Sequence, residues 1–373
     1  MNLLMLSGDT SVVRGERRAF YNTLSEFSRY WGRIDVLTHR VPGVTRHDCF
    51  ENVTFYPSPW GKMMQPIFVL KKGQALSERR RYSLMVSHDY GFFLHGTGAR
   101  WLSQSAGVPH VSEIHHVDGY PRAANLRQRL QPWLTRRFVR DAMSHSLGFR
   151  ITNQGQLWPL LRSWGVPAEQ LFLLYSLYLD FDVFRPEVTT IEYDAIFVGR
   201  LTPNKGPLLF LDGIQAAANR GAGVRVLIIG SGPMKSRMRA RAAALGSDVN
   251  VEFRDWVASP GDLADLYRRS RCLICTSFSE GGPRVVAEAL ACGVPVISTR
   301  VGLAPEIVQN GVTGFLVDWS ADDIAARLSQ IVFDSDLRDR MALAAPSSVQ
   351  RFEKSRVVKD YALGYQELVQ RQM

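Results

Sequence analysis

Two carboxylates flank a short glycine-rich turn in the stretch Thr276-Ser277-Phe278-Ser279-Glu280-Gly281-Gly282-Pro283-Arg284-Val285-Val286-Ala287-Glu288. An apolar run, Cys272 to Thr276, leads into the turn, and a helical pattern, Pro283 to Cys292, leads out of it. Pro283 is predicted as the first helical residue, because its fixed φ suits a helix start and its missing N–H would have no partner there anyway. Gly281 and Gly282 let backbone amides come close to a ligand, and a helix N-terminus attracts anions. Glu288 falls roughly 7 Å along the axis from Pro283, at about 1.5 Å per residue. Amides and a helix dipole suit a diphosphate, whereas carboxylates suit sugar hydroxyls. The pattern predicts a site for a molecule that carries both.

Three upstream patterns lead to the same kind of ligand. Ala195 to Val198 reads as a strand that runs into Gly199, with Arg200 and Lys205 following. Both cations stand at the strand's carboxyl end, placed to neutralise a phosphate leaving group. Ile228-Ile229-Gly230-Ser231-Gly232-Pro233 is a second strand-to-turn-to-helix junction. Phe253-Arg254-Asp255-Trp256-Val257 ends a third strand with a loop where Trp256 offers a surface to a flat base. Each pattern alone is more often a tight turn. In this order before Glu280 and Glu288 they form a specific set.

Positioning such a set requires alternating strands and helices. In the second half the strands are predicted at 195–198, 224–229, 249–253, 272–276, 295–299 and 314–317. Helical patterns fall between them at 207–220, 233–245, 262–269, 283–292 and 321–333. Strand-helix alternation with short glycine-rich links predicts a doubly wound parallel sheet. The first half repeats the logic with strands at 2–6, 34–37, 83–86, 108–114, 148–152 and 171–174. The link between the halves is predicted at 184–192, around Arg185-Pro186-Glu187. A last helix, 355–372, follows the completed sheet and is expected to cross back onto the first domain. In such sheets ligands sit beyond the carboxyl ends of the strands.

The bulk numbers permit this reading. The chain has 373 residues, with 46% hydrophobic and 21% charged, as in ordinary globular proteins of two domains. No apolar run is long enough to span a membrane. The N-terminal Met1-Asn2-Leu3-Leu4-Met5-Leu6 reads as a first strand, not a signal peptide. Four cysteines give no disulfide framework, and Cys272 and Cys275 are predicted on opposite faces of one strand. This points to a reduced, cytoplasmic setting. The eight histidines show no metal-ligand spacing.

A net charge of +10 implies an anionic partner. Arginines 127, 129, 136, 137 and 140 lie among Leu126, Leu130, Trp133, Leu134 and Phe138 in the segment Leu126–Met143. The Leu126/Leu130/Leu134/Phe138 spacing gives an apolar stripe beside the arginines, with a kink or two short pieces expected at Pro132. Two readings stand: an element that docks on an anionic membrane surface, or a core-facing helix with a solvated basic back.

Residues 194–330 resemble the donor-binding domain of the family 4 retaining glycosyltransferases of the GT-B fold. The resemblance is carried by Phe197-Val198-Gly199-Arg200-Leu201 with Lys205-Gly206, by Gly230-Ser231-Gly232-Pro233, and by Ser279-Glu280-Gly281-Gly282-Pro283. It continues in Glu288-Ala289-Leu290-Ala291-Cys292-Gly293-Val294-Pro295-Val296-Ile297 and Gly311-Val312-Thr313-Gly314-Phe315-Leu316-Val317. Asp180-Phe181-Asp182-Val183-Phe184-Arg185-Pro186 is similar to the family's inter-domain segment. His115 falls where the family has an active-site histidine, with His116 beside it, and Gly15 matches the second glycine of its N-terminal loop. Arg14-Gly15 replaces the family's Gly-Gly, Gly282 replaces a common aromatic, and Leu177-Tyr178 stands where Asn-Gly is usual.

The resemblance implies two Rossmann-like α/β domains facing across a cleft: an acceptor domain at 1–186, a donor domain at 187–354, and a returning helix at 355–373. It implies transfer of a sugar from a UDP- or GDP-linked donor to an acceptor hydroxyl, with anomeric configuration kept and neither metal nor cofactor needed. In that scheme Arg200, Lys205 and the amides at Gly282, Arg284 and Val285 surround the diphosphate, with Gly281 and Pro283 in the same donor-binding turn. Gly199, Gly230 and Gly15 allow close approach, Glu288 holds the ribose diol, Glu280 orients the donor sugar, and His115 lies near the reacting centre. A glycan or lipid-linked acceptor of cell-surface polysaccharide, lipopolysaccharide or glycolipid synthesis is expected, on the cytoplasmic membrane face. The rivals are a nucleotide-sugar epimerase or hydrolase of the same fold and a basic nucleic-acid-binding protein. For the last, zinc spacing, RNP-like aromatics and helix-turn-helix signatures are all missing from the sequence, so no nucleic acid is expected.

Overall fold

A computed structural model describes residues 1–221 and 223–371. They divide into two compact units, one made of 1–117, 131–176 and the described part of 355–373, the other of 118–130 and 177–354. The chain changes unit after Ser176, ahead of the expected boundary at 186. Gln372, the expected end of the last helix, lies outside the described residues.

The first unit is built on eight strands: β1 (Asn2–Ser7), β2 (Arg33–Thr38), β3 (His47–Cys49), β4 (Val53–Pro57), β5 (Leu84–His88), β6 (His110–Ile114), β7 (Gly148–Ile151) and β8 (Leu171–Leu173). They lie in the order β3-β4-β2-β1-β5-β6-β7-β8. All neighbours are parallel except β3, which pairs antiparallel with β4. Leu3, Leu4, Met5 and Leu6 are all buried, as a continuous apolar run must be when helices cover both faces of a parallel sheet. The sequence reading missed β3 and β4. The first is a short polar edge strand, and the second runs into Pro57-Ser58-Pro59 and is held by its distant partner β2.

The second unit holds β9 (Ala195–Val198), β10 (Val224–Ile229), β11 (Val249–Arg254), β12 (Leu273–Cys275), β13 (Val296–Thr299) and β14 (Gly314–Val317). Their order, β11-β10-β9-β12-β13-β14, reverses direction between β9 and β12. Helices Pro207–Ala218 and Ala321–Phe333 close one core around Phe210, Ile214, Ile228 and Leu328. Cys272, Cys275 and Cys292 are free and buried.

Two helices differ from expectation or extend it. Leu126–Ala142 is one continuous helix with Pro132 inside it, neither two pieces nor a break. Pro132 lacks the N–H that would bond the Gln128 carbonyl. The Gly119 backbone packs there instead, so close that an added Cβ would stand 2.1 Å from that oxygen. Its buried residues are Thr135, Val139 and Ala142, so the predicted stripe is not the core face. Leu126, Leu130 and Trp133 are exposed by 75%, 66% and 63%. The last helix, Lys354–Gln370, buries Tyr361 and Tyr365 in the first unit, where both hydroxyls donate to the Glu113 carboxylate.

Candidate active site

In open α/β sheets the loops that leave neighbouring strands at the point of order reversal splay apart and leave a crevice. In the second unit that point lies between β9 and β12, and the two loops found there are 199–206 and 276–283. They are stitched together. Thr276 donates its hydroxyl to the carbonyls of Lys205 (3.1 Å) and Gly206 (2.9 Å). Asn204 donates its amide to Ser279 O at 2.9 Å, and the Ser279 hydroxyl donates back to Asn204 Oδ1 at 2.7 Å. Gly206 is at φ +63°, and a Cβ there would stand 2.1 Å from Thr276 O, so glycine is what this junction admits. The clamp brings Lys205 and Glu280 together. The Lys205 ammonium donates to Glu280 Oε1, which also accepts the Ser277 hydroxyl at 2.9 Å.

Beside this pair lies a cavity of about 510 Å³. Gly199, Arg200 and Gly230 form one wall, Arg284 and Glu288 another, and Trp256 the rim. Gly230 passes so near Gly199 that an added Cβ would stand 1.9 Å from its carbonyl oxygen. Arg200 is exposed, and its side chain makes no ion pair or hydrogen bond among the described residues. The helix begins at Arg284, with Pro283 extended (ψ 92°) as the residue before it. The expectation that Pro283 is the first helical residue is therefore corrected by one position. No side chain caps this helix and no acid stands in its first turn, so its positive end is uncompensated. Gly281, Gly282, Pro283 and Val285 lie beside the cavity's lining, not in it. Trp256 is 83% exposed and presents a free ring.

Glu288 is buried and fixed from two sides. Tyr267 donates its hydroxyl to Oε2 at 3.0 Å, and Arg284 Nη1 lies 3.9 Å from Oε1. Burial pushes the carboxyl above its ordinary value, with Arg284 and Tyr267 opposing. Arg284 in turn rests over the Tyr178 ring at 4.8 Å. The arrangement offers a carboxylate at the cavity floor and two guanidinium groups on its walls, a combination suited to a hydroxylated anion.

The first unit carries the other two predicted residues. Gly15, at φ 79°, ends the turn Val12–Arg14 before helix Ala19–Phe27. His115 lies past β6, its Nε2 2.6 Å from Glu113 Oε2 and 3.1 Å from Arg150 Nη1. His115 lines a second cavity; His116 does not. Strand register explains the cluster, since Glu113 pairs laterally with His88 on β5 and with Arg150 on β7. Burial alone would raise the Glu113 carboxyl, yet Arg150, His88 and His115 outweigh it and hold it well below its usual range. The sequence reading missed Glu113, Arg150 and His88. Glu113 and His115 share one face of a strand at i, i+2, a signal that was available, but the lateral pairing was not.

Comparison with known proteins matches both units. A profile described as glycosyl transferases group 1 covers residues 182–348, and one described as glycosyl transferase 4-like domain covers 18–175. The chain belongs to this glycosyltransferase family. A D-inositol 3-phosphate glycosyltransferase of Segniliparus rotundus is 27% identical over 334 residues, 84% of this chain and 73% of the relative. One of the same description from Corynebacterium glutamicum is 36% identical over 163 residues, 42% of this chain and only 39% of the relative. Among solved structures, Anabaena HepE with UDP and glucose aligns with TM-score 0.73 at 19% identity, covering 98% of this chain and 100% of that one. Sucrose-phosphate synthase from Thermosynechococcus elongatus aligns with TM-score 0.77 at 18% identity over the full length of both. The fold is thus the two-unit α/β architecture of GT-B glycosyltransferases. Within this glycosyltransferase, Arg200, Lys205, Glu280, Arg284 and Glu288 gather around one switch point of the second sheet, with Gly199 and Gly230 beneath them.

Proposed function

We propose that the enzyme transfers a sugar from a nucleotide diphosphate donor to an acceptor hydroxyl with retention of configuration, without a metal ion. The observation that carries this reading is the second unit's cavity, where Arg200, Arg284 and Glu288 meet beside the uncapped helix and the Lys205–Glu280 pair. When the glycosidic C–O bond breaks, its electron pair goes to the β-phosphate and the anomeric carbon becomes electron-poor. Arg200, Lys205 and the helix amides meet the developing negative charge, which is where fixed dipoles and cations contribute most. Glu288 takes the ribose diol and Glu280 the donor sugar's hydroxyls. The acceptor oxygen then attacks the face the phosphate leaves, and its proton passes to that phosphate, so no enzymic nucleophile is required. HepE binds UDP and glucose, which favours a uridine donor here.

The second half of the proposal is location. Among the described residues no helix is long and apolar enough to cross a membrane. The exposed Leu126, Leu130 and Trp133 beside Arg136 and Arg137 favour docking on the anionic cytoplasmic face of a membrane, where a lipid-linked glycan of the cell surface is the acceptor.

A thermal-shift screen of UDP- and GDP-sugars tests the donor. A ligand at 100 times its Kd stabilises by about 2.7 kcal/mol, and we expect one nucleotide sugar to stand out. No shift with any of them refutes the donor site. Consumption of that donor only when acceptor is added separates transfer from hydrolysis or epimerisation.

A further inference from the structure

The sheet of the first unit also reverses its strand order, between β1 and β5. A cavity of about 400 Å³ opens there, within the range of small-molecule sites. Gly8 and Asp9 enter it from the end of β1, His88 and Tyr90 from β5, and Glu113 and His115 from β6. Phe20 and Thr23 of helix Ala19–Phe27 close it from above, and Tyr361 of the last helix from the side. Gly8 is what makes room for the Tyr90 hydroxyl: a Cβ there would stand 1.8 Å from that oxygen.

The charge of this lining is its informative property. It holds two carboxylates, Asp9 and Glu113, and among its described residues Arg150 is the one permanent cation. That guanidinium is fully buried and, while Nη2 has no hydrogen-bond partner among the described residues, is engaged through Nε and Nη1. It donates to Glu113 (3.1 Å) and to Leu174 O (2.8 Å), and lies 4.0 Å from the centre of the Tyr361 ring. Burial pushes His88 down to about 4, so it is neutral at pH 7. Of the arginines before helix Ala19–Phe27, Arg18 turns to Glu16 at 2.6 Å and Arg17 lies over Tyr21, while Arg14 is exposed on the turn before Gly15. The helix N-terminus adds about half a positive charge, too little to cancel the one net negative charge that Asp9, Glu113 and Arg150 leave together. Asp9 spends Oδ1 on the Ser11 amide at 2.7 Å. Its other oxygen has no partner among the described residues. Hydroxyl acceptors and donors thus surround the space, with the Phe20 ring as an apolar wall.

We infer that this cavity receives the acceptor as an uncharged sugar or polyol ring, held through Asp9, Thr23 and Tyr90, and that its carboxylates exclude phosphorylated polyols. The inference rests on the transferase reading given above. It departs from the relatives, whose descriptions name an inositol 3-phosphate acceptor.

The test uses the full chain in two arms. In the first, transfer is measured from the nucleotide sugar found by thermal shift to methyl glucoside, methyl galactoside, methyl mannoside, myo-inositol and inositol 3-phosphate. We expect at least one neutral ring to exceed inositol 3-phosphate in kcat/KM by about tenfold or more, since like charge works as a filter against the wrong partner. Asp9→Asn should raise KM for that ring while leaving the Kd for UDP within about twofold, the loss being confined to this cavity. Better transfer to inositol 3-phosphate, or an unchanged KM in Asp9→Asn, overturns the inference. The second arm needs no donor: saturation-transfer NMR should show ring protons of a neutral glycoside contacting the wild type but not Asp9→Arg. Contact by inositol 3-phosphate alone, or by no neutral ring, overturns it too. Failure of the donor reading shows differently, as no nucleotide shift with ring binding intact.

Discussion

Lys205 and Glu280 illustrate how a residue can be legible in type and spacing yet unexpected in its partner. The sequence marked one for phosphate and the other for sugar hydroxyls, and the fold joins them directly. A pair of this kind keeps the ammonium in place before charge develops, so little reorganisation is needed during reaction. Lys205→Ala should lower kcat by about 100-fold or more if it meets transition-state charge. Single-turnover kinetics with saturating donor would measure this, and an unchanged rate removes Lys205 from the role. Glu288 is proposed for binding instead. Its carboxyl is held by Tyr267 and Arg284 inside the cavity, and Glu288→Gln should weaken UDP affinity by about tenfold through the lost charge-assisted hydrogen bonds. Calorimetry giving equal affinity for wild type and variant contradicts the ribose assignment. Glu280 and Glu288 were readable because they sit in one contiguous stretch with glycines around them, and Lys205 because it follows a strand that runs into Gly199. Glu113 was not, because its partners come from β5, β7 and the last helix, and only register brings them together.

At the scale of elements, legibility followed how local the stabilising contacts are. All six strands of the second unit could be read from short apolar runs between glycine-rich turns. In the first unit, β3 and β4 were lost because pairing with a distant strand makes them strands, β4 with β2 and β3 in turn with β4. Pro132 misled in the opposite direction: a proline inside a helix costs about 3 kcal/mol or more, yet the helix passes through it. Its buried face, Thr135, Val139 and Ala142, secures only the C-terminal half, leaving leucines, a tryptophan and arginines outward. Phe92, 64% exposed, continues this apolar surface along a groove it shares with Trp133, Arg136, Arg137 and Arg140. Each basic residue near an anionic membrane contributes about 1 kcal/mol. Replacing Arg136, Arg137 and Arg140 with glutamine should therefore weaken binding to phosphatidylserine-containing vesicles by about 100-fold in a sedimentation assay, with little change on neutral vesicles. Equal sedimentation of the variant would return the helix to a purely structural part of the first unit.

The whole molecule is two copies of one topological idea with different electrostatic content. Each sheet reverses strand order once and gathers polar side chains at that point, but all eight histidines belong to the first unit. Burial lowers His88 to about 4 and both His95 and His110 to about 3, from an ordinary 6.5. A group whose folded value is lowered stabilises fully above its unfolded value and loses that contribution as pH falls through the interval. These three histidines therefore withdraw stability as the pH falls from 6.5 towards about 4. Glu113, also held low, adds to the loss below 4.5. Asp89 works the other way, since burial raises it to about 7 and it regains stability as it protonates, but it is one group against three. In the second unit the buried Glu288 is raised and likewise favours lower pH. Hydrogen exchange on the full chain at pH 7.5 and pH 5 should then show β5 and β6 losing protection on acidification while β9, β10 and β12 keep theirs. Equal loss in both units would mean that the buried histidines do not govern the acid limit of this fold.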